Sequence, residues 1–484
     1  MNVLFCVSEA VPLAKTGGLG DVGGALPAAL AQLGCEVRVI LPRYRGVDLS
    51  RWRRAGALEV AVGDRTVEVV LWDGAMPDTG VPVWLVDQPH LFDREGLYGT
   101  GGADYPDNLA RFACLCRAAL AWTARQPWRP DLVHCHDWQT ALIPPLVACG
   151  QFPPVPTLLT VHNLAYQGIF PPEQFSLTGL PPEMFSVRGL EFWGRVNVLK
   201  GGLIFATMLS TVSPTYAREI QTPEMGAGLD GVLRERSADL VGILNGVDYR
   251  VWDPAHDPHL PARYTPDDLS GKKVCKEHLQ REMGLDVRAD APLVGLVSRL
   301  VEQKGIDLVV AASGDILALG AQMVILGTGD PRFERALVDL ARREPRRVGV
   351  RIGFDEALAH RIEAGADLFL MPSRYEPSGL NQLYSLRYGT VPVVRRTGGL
   401  ADSIVDATPQ ALEAGTATGF VFDDYSPQAL RDAVARALRA FRDPALWRRL
   451  QRAGMSADFS WQAVARRYRQ LYERTVDVWR RASR

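Results

Sequence analysis

Short apolar runs recur along the chain, each followed by a polar break and then by a stretch with helical periodicity. Residues 3–7 form the first run. Residues 21–33 carry apolar positions along one helical face, and Gly34 closes that helix before a second strand at 36–41. Further strands are predicted at 82–86, 132–135 and Thr157–Val161, each ending near polar residues. Strand and helix alternate, which predicts a parallel sheet covered on both faces. The pattern thins between residues 251 and 290, where Pro, Asp and charge accumulate, and a connection between domains is expected near 242–253. A second series follows, with strands at Leu293–Val297, 323–326, Val348–Ile352, Leu368–Met371 and 391–394. The stretch 461–479 reads as an Arg-rich amphipathic helix. The expected organisation is an α/β chain of two similar halves, residues 1–244 and 245–456, followed by a helical segment, 457–484.

The chain has 484 residues, too many for one ordinary core, and its formal charge of -1 removes any general basic field for nucleic acid or an anionic membrane. An anionic ligand must therefore be held by a few placed cations. The uncharged stretch 138–161 is long enough to raise a membrane span, but Pro144, Pro145, Pro153, Pro154 and Pro156 interrupt it. Seven scattered cysteines with no C-x-x-C pair fit reduced thiols, and Met1 runs into the first strand without a basic leader, so a cytoplasmic protein is expected.

Candidate chemistry lies at the polar breaks. Gly18-Leu19-Gly20-Asp21-Val22-Gly23 fits the dinucleotide fingerprint G-x-G-x-x-G. Ten residues separate it from its strand, and no acid ends the next strand to hold a ribose, so a dehydrogenase is not favoured. N–H groups at a helix start still suit a phosphate. Arg299 and Lys304 follow the strand Leu293–Val297, where an open α/β sheet binds its ligands, and two cations there can neutralise a leaving diphosphate. The chain has six lysines among 54 basic residues, and Lys15 and Lys304 both fall in suspected phosphate loops. A compact ammonium there suits a tight site better than a broad guanidinium.

Pro377 is expected at an early helical position, with the Gly379 and Leu380 N–H groups aimed at a ligand and Glu376 at the mouth of the crevice. A helix-dipole role is the alternative for Glu376. His134 and His136 share one side of a strand, which suits chelation, but no third ligand is evident and no metal is predicted. Asp137 and His162, each just past a strand, read as partners of sugar hydroxyls, with a buried structural histidine as the alternative for His162. Lys15-Thr16-Gly17-Gly18-Leu19 is echoed by Arg396-Thr397-Gly398-Gly399-Leu400, suggesting a ligand gripped from both sides.

These motifs, together with His136-Asp137-Trp138, Thr160-Val161-His162-Asn163, Asn245-Gly246-Val247-Asp248, Ser298-Arg299-Leu300 and Glu376-Pro377-Ser378-Gly379-Leu380, occur in the order found in bacterial glycogen and plant starch synthases, and the chain resembles that family from its first strand to its final helix. The resemblance implies a GT-B fold, two Rossmann-like domains facing a deep cleft. It implies retaining transfer of glucose from ADP-glucose to the non-reducing end of an α-1,4-glucan, with no cofactor or metal. By the same resemblance Lys15, Arg299 and Lys304 hold the diphosphate with help from the Gly18 backbone. His162, Asn245 and Glu376 contact the donor glucose, Asp21 lies near the donor and Asp137 near the acceptor. Gly327 and Phe354 border the nucleoside, with Phe354 against the adenine, and the final helix returns to the first domain. Many relatives carry Cys at Ser378 and Tyr at Phe354. Retention requires either same-face attack assisted by the leaving phosphate, the preferred route, or Glu376 as a covalent nucleophile. Two other readings stand beside this one: a GT-B transferase using UDP-glucose or another acceptor, and a non-catalytic glucan-binding protein.

Overall fold

In the strand Asn2–Cys6, Val3 and Phe5 enter one apolar cluster while Leu4 and Cys6 enter another on the opposite face. A run buried on both sides in this way belongs at the centre of a covered sheet. The computed structural model describes residues 1–482, which divide into two units. The first comprises Met1–Gly246 and the chain from Trp461 onward, and the second comprises Val247–Ser460.

The first unit carries a nine-stranded sheet in the order Leu240–Gly242, Met208–Thr211, Thr157–Val161, Leu132–His136, Asn2–Cys6, Glu36–Pro42, Pro82–Asp87, Arg65–Ala75, Arg53–Val62. Seven strands are parallel, but the last two pair antiparallel, so the sheet is mixed rather than purely parallel. The cause is local. Leu58, Val60 and Val62 alternate with outward residues, and Val62 pairs with Arg65 across a two-residue turn whose Gly63 has φ +64. The helix Gly18–Gln32 starts three residues before the expected position, and its glycines explain the misleading fingerprint. A side chain on Gly23 or Gly24 would overlap the backbone of Glu9 or Val11, so these glycines let the loop lie against the helix. The helix Trp461–Ala482 buries Trp461, Val464, Ala465, Tyr468, Leu471 and Tyr472 in the cluster that holds Val3, Phe5 and Leu26, and its Tyr472 hydroxyl lies 2.8 Å from His134 Nδ1.

The second unit has a six-stranded parallel sheet in the order Val348–Ile352, Gln322–Gly327, Leu293–Val297, Leu368–Met371, Val391–Arg395, Phe420–Phe422. Chain order runs outward from Leu293–Val297 in one direction and then resumes on its other side, which is the doubly wound order with its switch point beside that strand. The sequence reading drew divisions after residues 244 and 456, and the units part after Gly246 and Ser460. Beside these points Val247 N–H donates to the Phe459 carbonyl at 2.7 Å. No helix among the described residues is long and apolar enough to cross a membrane, and the uncharged stretch from Trp138 forms short helices and the strand Thr157–Val161.

Candidate active site

In the first unit the sheet switches direction between Asn2–Cys6 and Leu132–His136, and the loop after Asn2–Cys6 carries Lys15. A residue that sequence reasoning overlooked organises that loop. The nearly fully buried Glu9 carboxylate accepts from Thr16 N–H at 2.5 Å, Thr16 Oγ1 at 2.7 Å, Gly17 N–H at 3.2 Å and Tyr98 Oη at 2.6 Å. Two adjacent N–H groups and a hydroxyl thus fix the start of the helix from below, leaving Lys15 and Gly18 exposed. Lys15 Nζ meets Asp21 Oδ1 at 2.7 Å, an exposed ion pair of modest strength that an anionic ligand can exchange for its own contacts. The signal for Glu9 was an acid two residues past the apolar run 3–7.

Asp137 follows Leu132–His136 in a left-handed conformation, φ +54, uncommon for a residue with a side chain. Its buried Oδ1 accepts from His162 N–H at 2.6 Å, joining the ends of two neighbouring strands. Burial pushes the Asp137 carboxyl up to about 7, against the opposing pull of the His162 and Asn163 N–H groups. Burial also pushes His162 down to about 3, so its imidazole is neutral at physiological pH. Its Nε2 lies 2.9 Å from His136 Nδ1. His134 and His136 do share one side, with rings 4.0 Å apart, but both His134 nitrogens are engaged, by Tyr472 and by Thr160 Oγ1 at 2.6 Å. The two rings pack tilted against each other, with His136 also against His162, and no group of three or more residues that could hold a metal occurs among the described residues. Asn245, just past the strand Leu240–Gly242, is only 5% exposed, and its Oδ1 has no partner among the described residues. An unsatisfied buried carbonyl is costly unless a ligand completes it.

In the second unit the candidate residues fall at the carboxyl ends of strands or in the loops that leave those ends. Lys304 Nζ lies 2.6 Å from Glu376 Oε2, bridging the loops that leave Leu293–Val297 and Leu368–Met371 in opposite directions. Ser373 Oγ donates to the same oxygen at 3.0 Å. Gly305, at φ +70, permits this approach, because a side chain there would overlap the Pro372 carbonyl. Arg299 stands exposed nearby in sequence, its Nη2 donating to Gln303 Oε1 at 3.0 Å. Gly327 packs under the Ser298 carbonyl and accepts from Gly353 N–H at 3.0 Å, which sets the neighbouring Phe354 beside it, 84% exposed.

Pro377 does not enter a helix. Gly379 takes φ +69, and the helix begins at Asn381, so residues 377–380 form a loop ahead of it. Glu376 therefore lies too far upstream to compensate that helix dipole, and it is tied to Lys304 and Ser373 instead. Ser378 is buried with an unpartnered Oγ among the described residues. The second Gly-Gly-Leu turn holds this loop. Gly399 N–H donates to the Glu376 carbonyl at 3.0 Å, and side chains on Gly398 or Gly399 would overlap the carbonyls of Glu376 and Ser378.

Two α/β units that gather cations and carboxylates at the carboxyl ends of their strands define a glycosyltransferase of the GT-B class. Residues 2–235 match the model of the starch synthase catalytic domain, and residues 284–452 match that of glycosyl transferases group 1. A glycogen synthase of Anaeromyxobacter dehalogenans is 55% identical over 98% of this chain and 99% of that protein, and glycogen synthase 1 of Methylococcus capsulatus is 50% identical over 98% and 97%. The catalytic domain of Starch Synthase IV from Arabidopsis thaliana, solved bound to ADP and acarbose, superposes with a TM-score of 0.90 at 36% identity, covering 98% of this chain and 99% of that one. A sucrose-phosphate synthase from Thermosynechococcus elongatus shares the fold at a TM-score of 0.60 and 19% identity. The chain belongs to the glycogen and starch synthase family. It is a glucosyltransferase of that type, acting between a nucleotide-sugar donor and a glucan acceptor.

Proposed function

We propose that the donor is ADP-glucose and that glucose is added, with retention, to the non-reducing end of an α-1,4-glucan. The observation that carries this reading is the Lys304–Glu376 contact across the switch point of the second unit. Arg299 and Lys304 bind the donor diphosphate, Phe354 stacks on the adenine, and Gly327 leaves room for the nucleoside. Ser378, Gly379 and Leu380 line the same loop. In the first unit Lys15 and the Gly18 N–H offer charge and a hydrogen bond to an anion, Asp21 lies near the donor, Asn245 Oδ1 and His162 receive hydroxyls of the donor glucose, and Asp137 serves the acceptor. The ADP bound to the Arabidopsis relative supports the choice of base. The first unit is thus read as the acceptor side and the second as the nucleotide-sugar side. Seven free thiols accord with work in the cytoplasm.

As the anomeric C–O bond breaks, its electron pair moves to the phosphate oxygen and positive charge develops on the sugar. Arg299 and Lys304 stabilise the leaving group, and the Glu376 carboxylate offsets the oxocarbenium. The acceptor hydroxyl attacks from the same face and yields its proton to the departing phosphate. Glu376 Oε2 is already engaged by Lys304 and Ser373, which blunts it as a nucleophile and favours this route over a covalent intermediate. The test supplies ADP-glucose or UDP-glucose with glycogen, with and without EDTA, and follows chain elongation. Preference for ADP-glucose and activity unchanged by EDTA are expected. Equal kcat/KM for both donors, or loss restored by magnesium, overturns the corresponding part.

A further inference from the structure

Within the first unit, the segment after His162 builds a feature that the transfer chemistry does not use. Trp138, which follows Asp137, packs against Gly168, and its ring lies 5.6 Å from that of Phe170. Ile169–Phe170 pairs with Arg195–Asn197, which pairs with Glu191–Phe192, so a small three-stranded sheet stands directly on the residue beside Asp137. The sheet is anchored from below. Asn197 Nδ2 donates to Gln167 Oε1 at 2.6 Å, Gln167 Nε2 donates to the Ala227 carbonyl at 3.0 Å, and the buried Lys200 ammonium donates to the carbonyls of Val187 and Glu191.

At the tip of the hairpin sits Trp193. Its backbone is left-handed, φ +53, and the residue is 82% exposed. Gly194 N–H donates to Glu191 Oε1 at 2.7 Å and closes the turn, while Phe192 lies edge-on to the indole at 6.2 Å. A large aromatic held out to water, on a tip kept in an unfavourable conformation by a fixed base, has most of its surface left over from packing and open to a partner. Tyr166, in the turn between His162 and the small sheet, is also exposed, at 54%. Exposed rings thus leave the Asp137–His162 region along one continuous piece of structure.

We infer that Trp193 is a stacking platform for a distant part of the glucan acceptor, so that the small sheet carries an α-glucan chain outward from Asp137 and His162. Glucose units in such a chain present apolar C–H faces edged by hydroxyls, which suits an indole that is apolar on its faces and polar at one edge. The inference rests on the acceptor role of Asp137, and a binding measurement separates the two. Trp193→Asn removes the ring while keeping a residue that tolerates the left-handed backbone. Wild-type protein and this variant are run in native gels containing glycogen, and initial rates are taken with glycogen and with maltotriose, which is too short to extend far from the transfer site. The variant is expected to lose retention in the gel and to show a KM for glycogen raised about fivefold to tenfold, within the range for removing one aromatic anchor. Its kcat, and its rate with maltotriose, should stay within about twofold of wild type, and Trp193→Tyr should restore most of the affinity. Undiminished retention overturns the inference, as does an equal loss on both acceptors. A change in oligomeric state by light scattering with unchanged glycogen affinity assigns the ring to a protein contact and overturns it too. Failure of the wild-type protein to lengthen either acceptor sinks the acceptor reading itself, whatever the gel shows.

Discussion

The two Gly-Gly-Leu turns share a pattern and a place, each following a strand and opening a helix, yet they do opposite work. Around Lys15 the turn is exposed. Gly17 has nothing near the position of a side chain, and the turn is held from beneath by Glu9. Around Thr397 the turn is buried, and its glycines lie against the carbonyls of Glu376 and Ser378. At Gly17 the first turn has open space where a side chain would stand, whereas the second needs glycine so that two stretches of backbone can touch. The expected grip of a ligand from both turns therefore changes for the second, whose Gly398 and Gly399 grip the Glu376 loop of their own chain. A motif repeated in sequence is a repeated backbone shape, and its neighbours decide whether that shape binds or supports.

The contrast can be broken most sharply at the buried turn. Glu376→Ala should lower kcat by about 10²-fold or more, since it removes charge that matters mainly in the transition state. Gly398→Ala should approach that loss without touching the carboxylate, because its new methyl displaces the Glu376 carbonyl from a left-handed backbone at φ +44. Steady-state rates alongside thermal melts separate misplacement from unfolding, and a fully active Gly398→Ala would erase the distinction between the turns. Next in size is Glu9→Ala, expected to reduce donor kcat/KM roughly tenfold or more, by about 1.4 kcal/mol, as the Lys15 loop loses its support. Glu9→Gln keeps an acceptor for the Thr16 and Gly17 N–H groups and should recover most of the activity. If Gln and Ala behave alike, the carboxylate acts by charge rather than by placement.

Lysine replacements sharpen the comparison further. Lys304 is largely enclosed beside Glu376, and Arg there brings a wide planar head into a space shaped for an ammonium. Lys304→Arg should cost at least about tenfold in kcat/KM. Lys15→Arg, in the open turn, should lose less, and Lys273→Arg, on an exposed helical face, should be neutral. Equal kinetic losses at Lys15 and Lys304 would show that openness does not matter. Smallest of all is Gly17→Ala. With φ -157 and open space around it, activity should hold within about twofold and stability within about 0.5 kcal/mol. A loss matching that of Gly398→Ala would end the comparison.

Strands buried on both faces were the easiest elements to read. Leu293–Val297 and Leu368–Met371 are continuous apolar runs and Thr157–Val161 is interrupted only by threonine, and the candidate site residues lie in the loops that follow them. The hairpin of Arg53–Val62 and Arg65–Ala75 went unread although its signal was present, a Gly-Asp pair between alternating valines. Arginines at 51, 53 and 54 masked the alternation. Pro377 misled because proline usually opens helices, whereas here Gly379 turns the chain left-handed and delays the helix to Asn381. Partnerships such as Glu9 with Tyr98, or Ser373 with Lys304 around Glu376, depend on which loops the topology brings together. Residue types alone carry no trace of them.

The returning helix sets an order of events during synthesis. Trp461, Tyr468 and Tyr472 complete the cluster that contains the very first strand, and Tyr472 reaches His134 of the histidine pair. On a ribosome, residues 247–460 emerge before those aromatics exist, so the second unit can close its sheet while the first still waits for the side chains that complete the cluster of Val3, Phe5 and Leu26. The earliest-made part of the molecule is thus among the last to mature. During that interval it exposes apolar surface that a chaperone would recognise, and the Asp137–His162 corner reaches its final packing only when residues 461–482 arrive.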